Sequence, residues 1–337
     1  MLPLSDGPGR RAARQSRGSA AGATIAFMAS QMTREGSSTD ALVAIKAQIP
    51  DDAMSASILG TERAGHGVRI REDGLIATIG YLVHEAETVW ITATGGGTVP
   101  GFVVGNDFDS GFGLVKPSMP LEGTIMELGS AAGLSVGDAV TVASSGGAAQ
   151  VITAEVVAKQ EFAGRWEYLV EDAIFTVPAH ESWSGAALID AGGKLCGLGS
   201  LVIQGFEVAG QSKTVNMFVP IDLLAPIIDD MCRYGRRASP ARPWLGLLVH
   251  EDQDDQIMIV GVYRNCPADR AGLKPGDIIV SVADTPVSGL ADMFRNVWKL
   301  GSAGVEVPIS VLRESETIDK VVASDDRAVF QRIGTVQ

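Results

Sequence analysis

From Asp40 onward the chain consists of short runs of β-forming residues separated by Gly, Asp and Pro, and this pattern limits the fold more than any other feature. One set of runs covers 67–71, 75–80, 88–93, 98–105 and 112–116, and a second covers 123–128, 139–144, 150–159, 167–175, 186–190 and 194–204. Short runs with turn residues between them are typical of antiparallel strands. Two such sets predict two packed β-barrels rather than an α/β fold.

Composition agrees with a turn-rich, acidic protein. The chain has 40 glycines in 337 residues and a net charge of −13. The glycines follow no period, so we interpret them as turn residues. An acidic chain is repelled by phosphates, which argues against nucleic acid or an anionic membrane as a partner. No run reaches the roughly 18 apolar residues of a membrane span.

The cysteines give no sign of a disulfide or metal-binding scaffold. Cys196, Cys232 and Cys266 lie far apart, form no C-x-x-C motif, and are odd in number. Neither a structural metal nor a disulfide framework is expected, and no motif in the chain calls for a cofactor.

The two ends differ from the middle. Residues 1–40 begin with arginines and contain a short apolar segment at 20–29. This segment is either a weak signal peptide or part of a tail, in which case Met28 or Met32 could be the true start. A helix is predicted at 221–232, a basic, proline-containing linker at 236–243, a separate small unit at 244–327, and a tail at 328–337.

Two stretches of the small unit carry a specific pattern: Trp244-Leu245-Gly246-Leu247, and CPADRAGLKPGDII at 266–279. They resemble the PDZ domain of HtrA/DegP-type proteases, whose second stretch reads SPAxxAGLKPGDxI. Gly272 suits the left-handed end of a short helix. The resemblance implies that N–H groups of the loop at Leu245-Gly246-Leu247 bind the terminal carboxylate of a peptide, which adds as an extra strand.

Further stretches upstream read GHGV at 65–68, DGLIAT at 73–78, VVGND at 103–107, LGS at 128–130, VGD at 136–138 and VPI at 219–221. They resemble the motifs GSGV, DGYILT, VVGxD, LGDS, VGD and AIP of HtrA-type, chymotrypsin-like serine proteases. The resemblance implies a mainly β protein: a chymotrypsin-like double β-barrel in a protease-like domain at 41–235, followed by a small α+β PDZ domain.

A serine protease needs a nucleophilic serine, an imidazole base and a buried carboxylate. Aligned with the family's motifs, Ser184 stands at the nucleophile position, Tyr81 at the histidine position and Gly111 at the aspartate position. Ser182 replaces the glycine of the oxyanion loop, which continues through Trp183. A phenol with a pKa near ~10 accepts no proton from serine at pH 7. The resemblance therefore implies a degenerate triad with an inert Ser184.

No neighbouring residue is expected to replace the missing groups. Asp109 would need a register shift to reach the position of Gly111. His84 would be displaced from Tyr81 by about 4.5 Å along a helix axis. His84 and His180 are expected to be ordinary surface side chains, and His66 to lie far from the site.

Two functions follow as hypotheses. The first is an HtrA-like pseudoprotease that binds peptides or protein C-termini through its PDZ domain, as a scaffold, sensor or regulatory partner. The second is an active serine endopeptidase that uses Ser184 with a non-standard base. The resemblance also implies a homo-oligomer, commonly a trimer, or an active protease as partner. It favours a periplasmic location, whereas a cytoplasmic one follows if the N-terminal segment is not a signal.

Overall fold

The computed structural model describes residues 38–331, so the apolar segment at 20–29 and the end of the predicted tail lie outside the described residues. The described chain forms two closed barrels and one further sheet, in that order. The mainly β fold class is confirmed.

The first barrel contains β1 to β6 in the order β1-β2-β3-β6-β5-β4, closed by pairing of β1 with β4. The strands are β1 (Leu42–Gln48), β2 (Glu62–Arg69), β3 (Ile76–Ile79), β4 (Thr88–Ala93), β5 (Thr98–Asn106) and β6 (Phe112–Pro117). Helix α1 (Ala56–Leu59) precedes β2, and helix α2 (Gly80–Val83) directly follows β3. Strand β3 is buried along its whole length, which positions α2 against the barrel.

The second barrel has the order β10-β11-β12-β9-β8-β7. The strands are β7 (Ala139–Ala143), β8 (Val151–Gly164), β9 (Tyr168–Val177), β10 (Ala187–Ile189), β11 (Leu195–Val208) and β12 (Gln211–Pro220). Phe112 of the first barrel and Phe175 of the second lie in one buried apolar cluster, so the two barrels share a core.

Two element predictions in this half are wrong. The run at 123–128 forms no strand and contributes only a single bridge from Leu128 to Leu195. The helix predicted at 221–232 is a 3-10 turn at Ile221–Leu223 followed by helix α3 (Ile228–Tyr234). Pro226 lies between the two, and a proline both lacks an N–H donor and disfavours helix in the residue before it.

The last sheet has the order β13-β14-β15-β17-β18, with β16 paired to β15. Its strands are β13 (Leu247–Glu251), β14 (Ile257–Val262), β15 (Ile278–Val282), β16 (Thr285–Pro286), β17 (Glu306–Arg313) and β18 (Glu316–Ala323). Helix α4 (Pro267–Arg270) is short, and helix α5 (Leu290–Trp298) buries Met293 and Phe294 in the core of this unit. After β18, the turn Arg327–Phe330 returns to place Phe330 against the ring of Trp244, 5.3 Å away.

Candidate functional site

The predicted base and nucleophile positions lie together. The hydroxyl of Tyr81, on α2, is 2.7 Å from Oγ of Ser184 and 2.9 Å from the carbonyl oxygen of Ser200. The Ser184 loop is fixed from the other side, where the amide of His66 donates to the carbonyl of Ser184 at 2.8 Å. Gly185 follows at φ +76°, and a Cβ there would lie 1.9 Å from the His66 carbonyl oxygen, so this turn requires glycine.

The proton count gives the direction of these bonds. A phenol has one proton, and the Ser200 carbonyl can only accept, so Tyr81 donates to Ser200. Ser184 then donates its own proton to the Tyr81 oxygen. Burial raises the pKa of Tyr81 to about 12, with the hydrogen bond to Ser184 acting in the opposite direction. The serine hydroxyl therefore donates to a neutral phenol. This phenol accepts the hydrogen bond but does not take the serine proton.

Gly111, the predicted aspartate position, has no room for a carboxylate. Gly111 has φ +82°, and a Cβ built on it would lie 2.8 Å from the hydroxyl oxygen of Tyr168. The Tyr168 hydroxyl reaches in from β9 and donates to the carbonyl of Ser110 at 2.8 Å. Both the backbone conformation and the available space thus favour glycine here. Sequence reasoning missed Tyr168, which it treated as part of an ordinary strand.

The carboxylates before Gly111 are engaged elsewhere. Asp107 accepts two hydrogen bonds from Arg237, each 2.6 Å long. Asp109 pairs with Arg237 and Arg242, both at 3.2 Å. Burial raises the pKa of Asp109, and the two arginines act against this shift. These contacts attach the residues of the predicted linker to the first barrel.

In the predicted oxyanion loop, the amide of Ser182 already donates a hydrogen bond. It donates to Nδ1 of His180 at 3.0 Å, and His180 Nε2 is 3.1 Å from the carbonyl of Gln150. Because Nδ1 accepts, the ring proton is on Nε2, which donates to Gln150. Trp183, next in the loop, lines an open groove together with His180 and Val202.

Three expectations about histidines are wrong. His180 and His84 are buried rather than on the surface, with exposed fractions of 5% and 7%. His84 packs edge-on against Phe108, since it ends the buried turn of α2. His66 is not remote, because its backbone touches Ser184, although its ring Nδ1 lies 2.7 Å from Oγ of Ser145. Burial lowers the pKa of His66 to about 4 and that of His84 to about 3.

The predicted carboxylate-binding loop already carries a carboxylate. The amides of Leu245, Gly246 and Leu247 donate to the side chain of Glu167 at 2.9, 2.8 and 2.9 Å. Trp244, the fourth predicted residue, is buried and packs on Phe330. Burial raises the pKa of Glu167 to about 7, while the three amides and Arg327 act to lower it. Sequence reasoning missed Glu167 as well; the signal was a charged residue between two aromatic ones at a β-turn.

Comparison with known proteins agrees with this architecture. The model of the trypsin-like peptidase domain matches residues 65–198, and that of the PDZ domain matches residues 243–323. The chain is an HtrA-type protein. It is 24% identical over 273 residues to a probable periplasmic serine endoprotease DegP-like of Hahella chejuensis, covering 77% of this chain and 56% of that one.

Other relatives of this HtrA-type chain have similar identity and coverage. It is 27% identical over 289 residues to protease Do-like 1, chloroplastic, of Arabidopsis thaliana, covering 79% of this chain and 64% of the relative. A solved structure, HtrA-type protease AlgW with decapeptide, matches in fold with a TM-score of 0.52 and 21% identity, covering 90% of this chain and 98% of that chain. This chain therefore spans a little more than half the length of the curated relatives.

Residues 38–331 contain neither of two further features. No helix in this part of the chain is long and apolar enough to cross a membrane. No group of three or more His, Cys, Asp or Glu side chains in it is placed to hold a metal ion.

Proposed function

We propose that this HtrA-type protein is a pseudoprotease that binds peptides or protein C-termini through its PDZ domain, as a scaffold, sensor or regulatory partner. One observation carries the proposal: Oγ of Ser184 is hydrogen-bonded at 2.7 Å to the phenol of Tyr81. A base has to accept the serine proton as the serine attacks, and a neutral phenol does not do so. Tyr168 against Gly111 supports the same conclusion, because the second triad position holds no carboxylate.

The competing function is an endopeptidase in which Tyr81 acts as the non-standard base. The 2.7 Å distance to Ser184 is the observation that favours it. Tyr81 would have to act as a phenolate, and a pKa of about 12 leaves roughly one molecule in 10⁵ in that form at pH 7. The amide of Ser182 would also have to leave His180 before it could stabilise an oxyanion. Both costs favour the pseudoprotease.

A fluorophosphonate probe tests the proposal, since it labels only an activated serine. The full chain, Ser184→Ala and the matched control Ser182→Ala are incubated with the probe beside an active trypsin-like protease. We expect all three versions of this chain to show the same background labelling and no casein hydrolysis. Rapid labelling of the full chain and of Ser182→Ala, lost in Ser184→Ala, would overturn the proposal.

Location and assembly belong to the same proposal. The relative from Hahella chejuensis is described as periplasmic, and we propose this location for the present chain. We further propose that it works as a homo-oligomer or beside an active protease, without nucleic acid. Fractionation of cells that express the full chain tests the location, and light scattering of the purified protein tests the assembly.

A further inference from the structure

The turn between β8 and β9 reaches from the second barrel into the PDZ domain. The two strands stay paired up to Gly164 and Tyr168, so the turn consists of residues 165–167. Its last residue, Glu167, is 9% exposed and offers both carboxylate oxygens to three consecutive amides of the loop before β13. Converging backbone N–H groups of this kind are suited to a carboxylate.

The same hairpin also contacts the surroundings of this loop. Leu169, two residues after Glu167, belongs to the apolar core cluster of the PDZ domain and is 8% exposed. On the other side of Glu167, the carbonyl of Arg165 accepts a hydrogen bond of 3.0 Å from the amide of Val249, on β13. Strand β13 lies at the edge of its sheet. A carboxylate in the loop, an apolar side chain in the core and a backbone bond to the edge strand are the contacts of a bound peptide.

The backbone conformation of Glu167 is one that its contacts with the PDZ loop have to impose. Glu167 has φ +59°, a left-handed conformation that favours glycine at the end of a three-residue hairpin turn. A glutamate there is strained, and strain of this kind persists where surrounding contacts impose it. The hydrogen bonds from three backbone amides to the carboxylate are contacts that a glycine at this position could not make.

Charged residues on both sides of the hairpin support its position. Arg295 of α5 pairs with Glu161 of β8 and lies 3.8 Å from Glu171 of β9. Arg327, from the turn after β18, donates to the carbonyl of Trp166 at 3.3 Å. The hairpin is therefore held by the loop, by β13, by α5 and by the C-terminal turn of the PDZ domain.

We propose that Glu167 is an internal ligand of the PDZ domain, and that an outside peptide with a free C-terminal carboxylate binds only by displacing the β8–β9 turn. The partner class is a protein C-terminus with apolar last residues, because the apolar core cluster that contains Leu169 also contains Leu245 and Leu247 of the loop. The proposal rests on the proposed function in one respect, the ability of the loop to accept a C-terminus from outside.

Two measurements on the full chain test it. The first is hydrogen exchange of residues 244–249, which reports the loop amides without any added peptide. The second is fluorescence anisotropy with a labelled decapeptide, Gly-Ser-Gly-Ser-Gly-Ser-Thr-Val-Leu-Leu with a free terminal carboxyl, and with its C-terminal amide. The variants are Glu167→Ala, Glu167→Gln and the matched control Glu155→Ala, an exposed glutamate earlier on β8.

We expect residues 244–249 to exchange at least tenfold faster in Glu167→Ala than in the wild type, and the free peptide to bind it at least tenfold more tightly. Glu167→Gln keeps one acceptor oxygen and should fall between the two; it also serves if Glu167→Ala does not fold. Glu155→Ala should behave as the wild type, and the amidated peptide should bind each version at least tenfold more weakly. Adding free peptide to the wild type should speed exchange at 163–169.

The outcomes separate the two proposals. Unchanged exchange at 244–249 in both Glu167 variants would overturn the internal ligand, whatever the peptide does. Equal peptide affinity in the wild type and Glu167→Ala would overturn it as well. Faster exchange in Glu167→Ala, with no peptide binding to any version, would support the internal ligand and overturn the C-terminus-binding part of the proposed function.

Discussion

The serine site and the PDZ loop are both closed, because a side chain of this same chain occupies each of them, but the two closures differ. At the predicted serine site a phenol meets Ser184, and Tyr168 takes the space beside Gly111. At the PDZ loop the sequence pattern is kept and three amides still point at a carboxylate, but that carboxylate is the chain's own Glu167. The first closure depends on which residues are present, so only substitutions could reverse it. The second is a set of non-covalent contacts that a competing ligand can break.

A single hairpin takes part in both closures. Tyr168 and Glu167 are neighbours in the chain, yet one reaches the carbonyl of Ser110 in the first barrel and the other reaches the amides before β13. The ring of Trp166 stacks on Tyr168 with centroids 5.6 Å apart. The comparison therefore predicts that changes at Gly111 and Tyr168 act on stability, whereas changes at Glu167 act on binding.

The largest effect is expected for Gly111→Asp, which puts an aspartate at the predicted triad position. The new side chain would start 2.8 Å from the Tyr168 hydroxyl at φ +82°. Left-handed strain, overpacking and a buried carboxylate together should cost about 3–5 kcal/mol of stability. Urea unfolding measures this. The control Gly95→Asp, where an added Cβ meets no atom within 4 Å, should change stability by less than about 0.5 kcal/mol. A stable Gly111→Asp would show that Tyr168 does not limit the site.

The sequence predicted the fold class because its motifs are local, and the same kind of local motif led to the predictions for Tyr81, Ser184 and the PDZ loop. Tyr168 and Glu167 were missed because their contacts are distant in sequence: Tyr168 to Ser110, and Glu167 to Leu245. A turn residue has no periodic pattern that reveals what it touches. The histidines were misjudged for a related reason: a lone polar residue is expected to be exposed, and only tertiary packing buries it.

Acidification should change stability in opposite directions at the histidines of the barrels and at Glu167 in the PDZ loop. The folded-state pKa values of His66 and His84, about 4 and 3, lie below the usual 6.5, so the unfolded chain binds more protons below that pH. Stability should fall as the pH drops through 6.5, by about 1.4 kcal/mol per histidine at pH 5.5. The pKa of Glu167 is shifted upward instead, so lowering the pH through 7 relieves the cost of burying it.

Urea unfolding between pH 8 and 5.5 measures this effect for the barrels. His84→Leu should remove about half of the destabilisation that the two histidines cause on acidification, so its stability should fall less than that of the wild type between pH 8 and 5.5. The control Phe108→Leu changes the ring that contacts His84 without removing a titrating group, so most of the pH dependence should remain. A His84→Leu curve parallel to that of the wild type would show that His84 is not the source.

A smaller effect is expected for Tyr168→Phe. The variant loses the hydroxyl that donates to the buried carbonyl of Ser110, which should cost about 1–2 kcal/mol in urea unfolding. Tyr234→Phe changes a tyrosine that is 55% exposed and should stay within about 0.5 kcal/mol of the wild type. Hydrogen exchange at 244–249 should be the same in both. Faster exchange in Tyr168→Phe would mean that the two closures are coupled through the hairpin.

The smallest effect is expected for Ser184→Ala, although this residue stands at the predicted nucleophile position. The Tyr81 proton is donated to the Ser200 carbonyl, so removal of the serine hydroxyl leaves no buried donor without an acceptor. Stability should change by less than about 0.5 kcal/mol, and affinity for the free decapeptide should be unchanged. Ser184 would then affect peptide affinity less than Glu167 does. Truncation of Glu167, a turn residue, should change that affinity at least tenfold. A loss of peptide binding in Ser184→Ala would instead show that the barrel cleft holds the peptide, and would reverse the order of importance of the two regions.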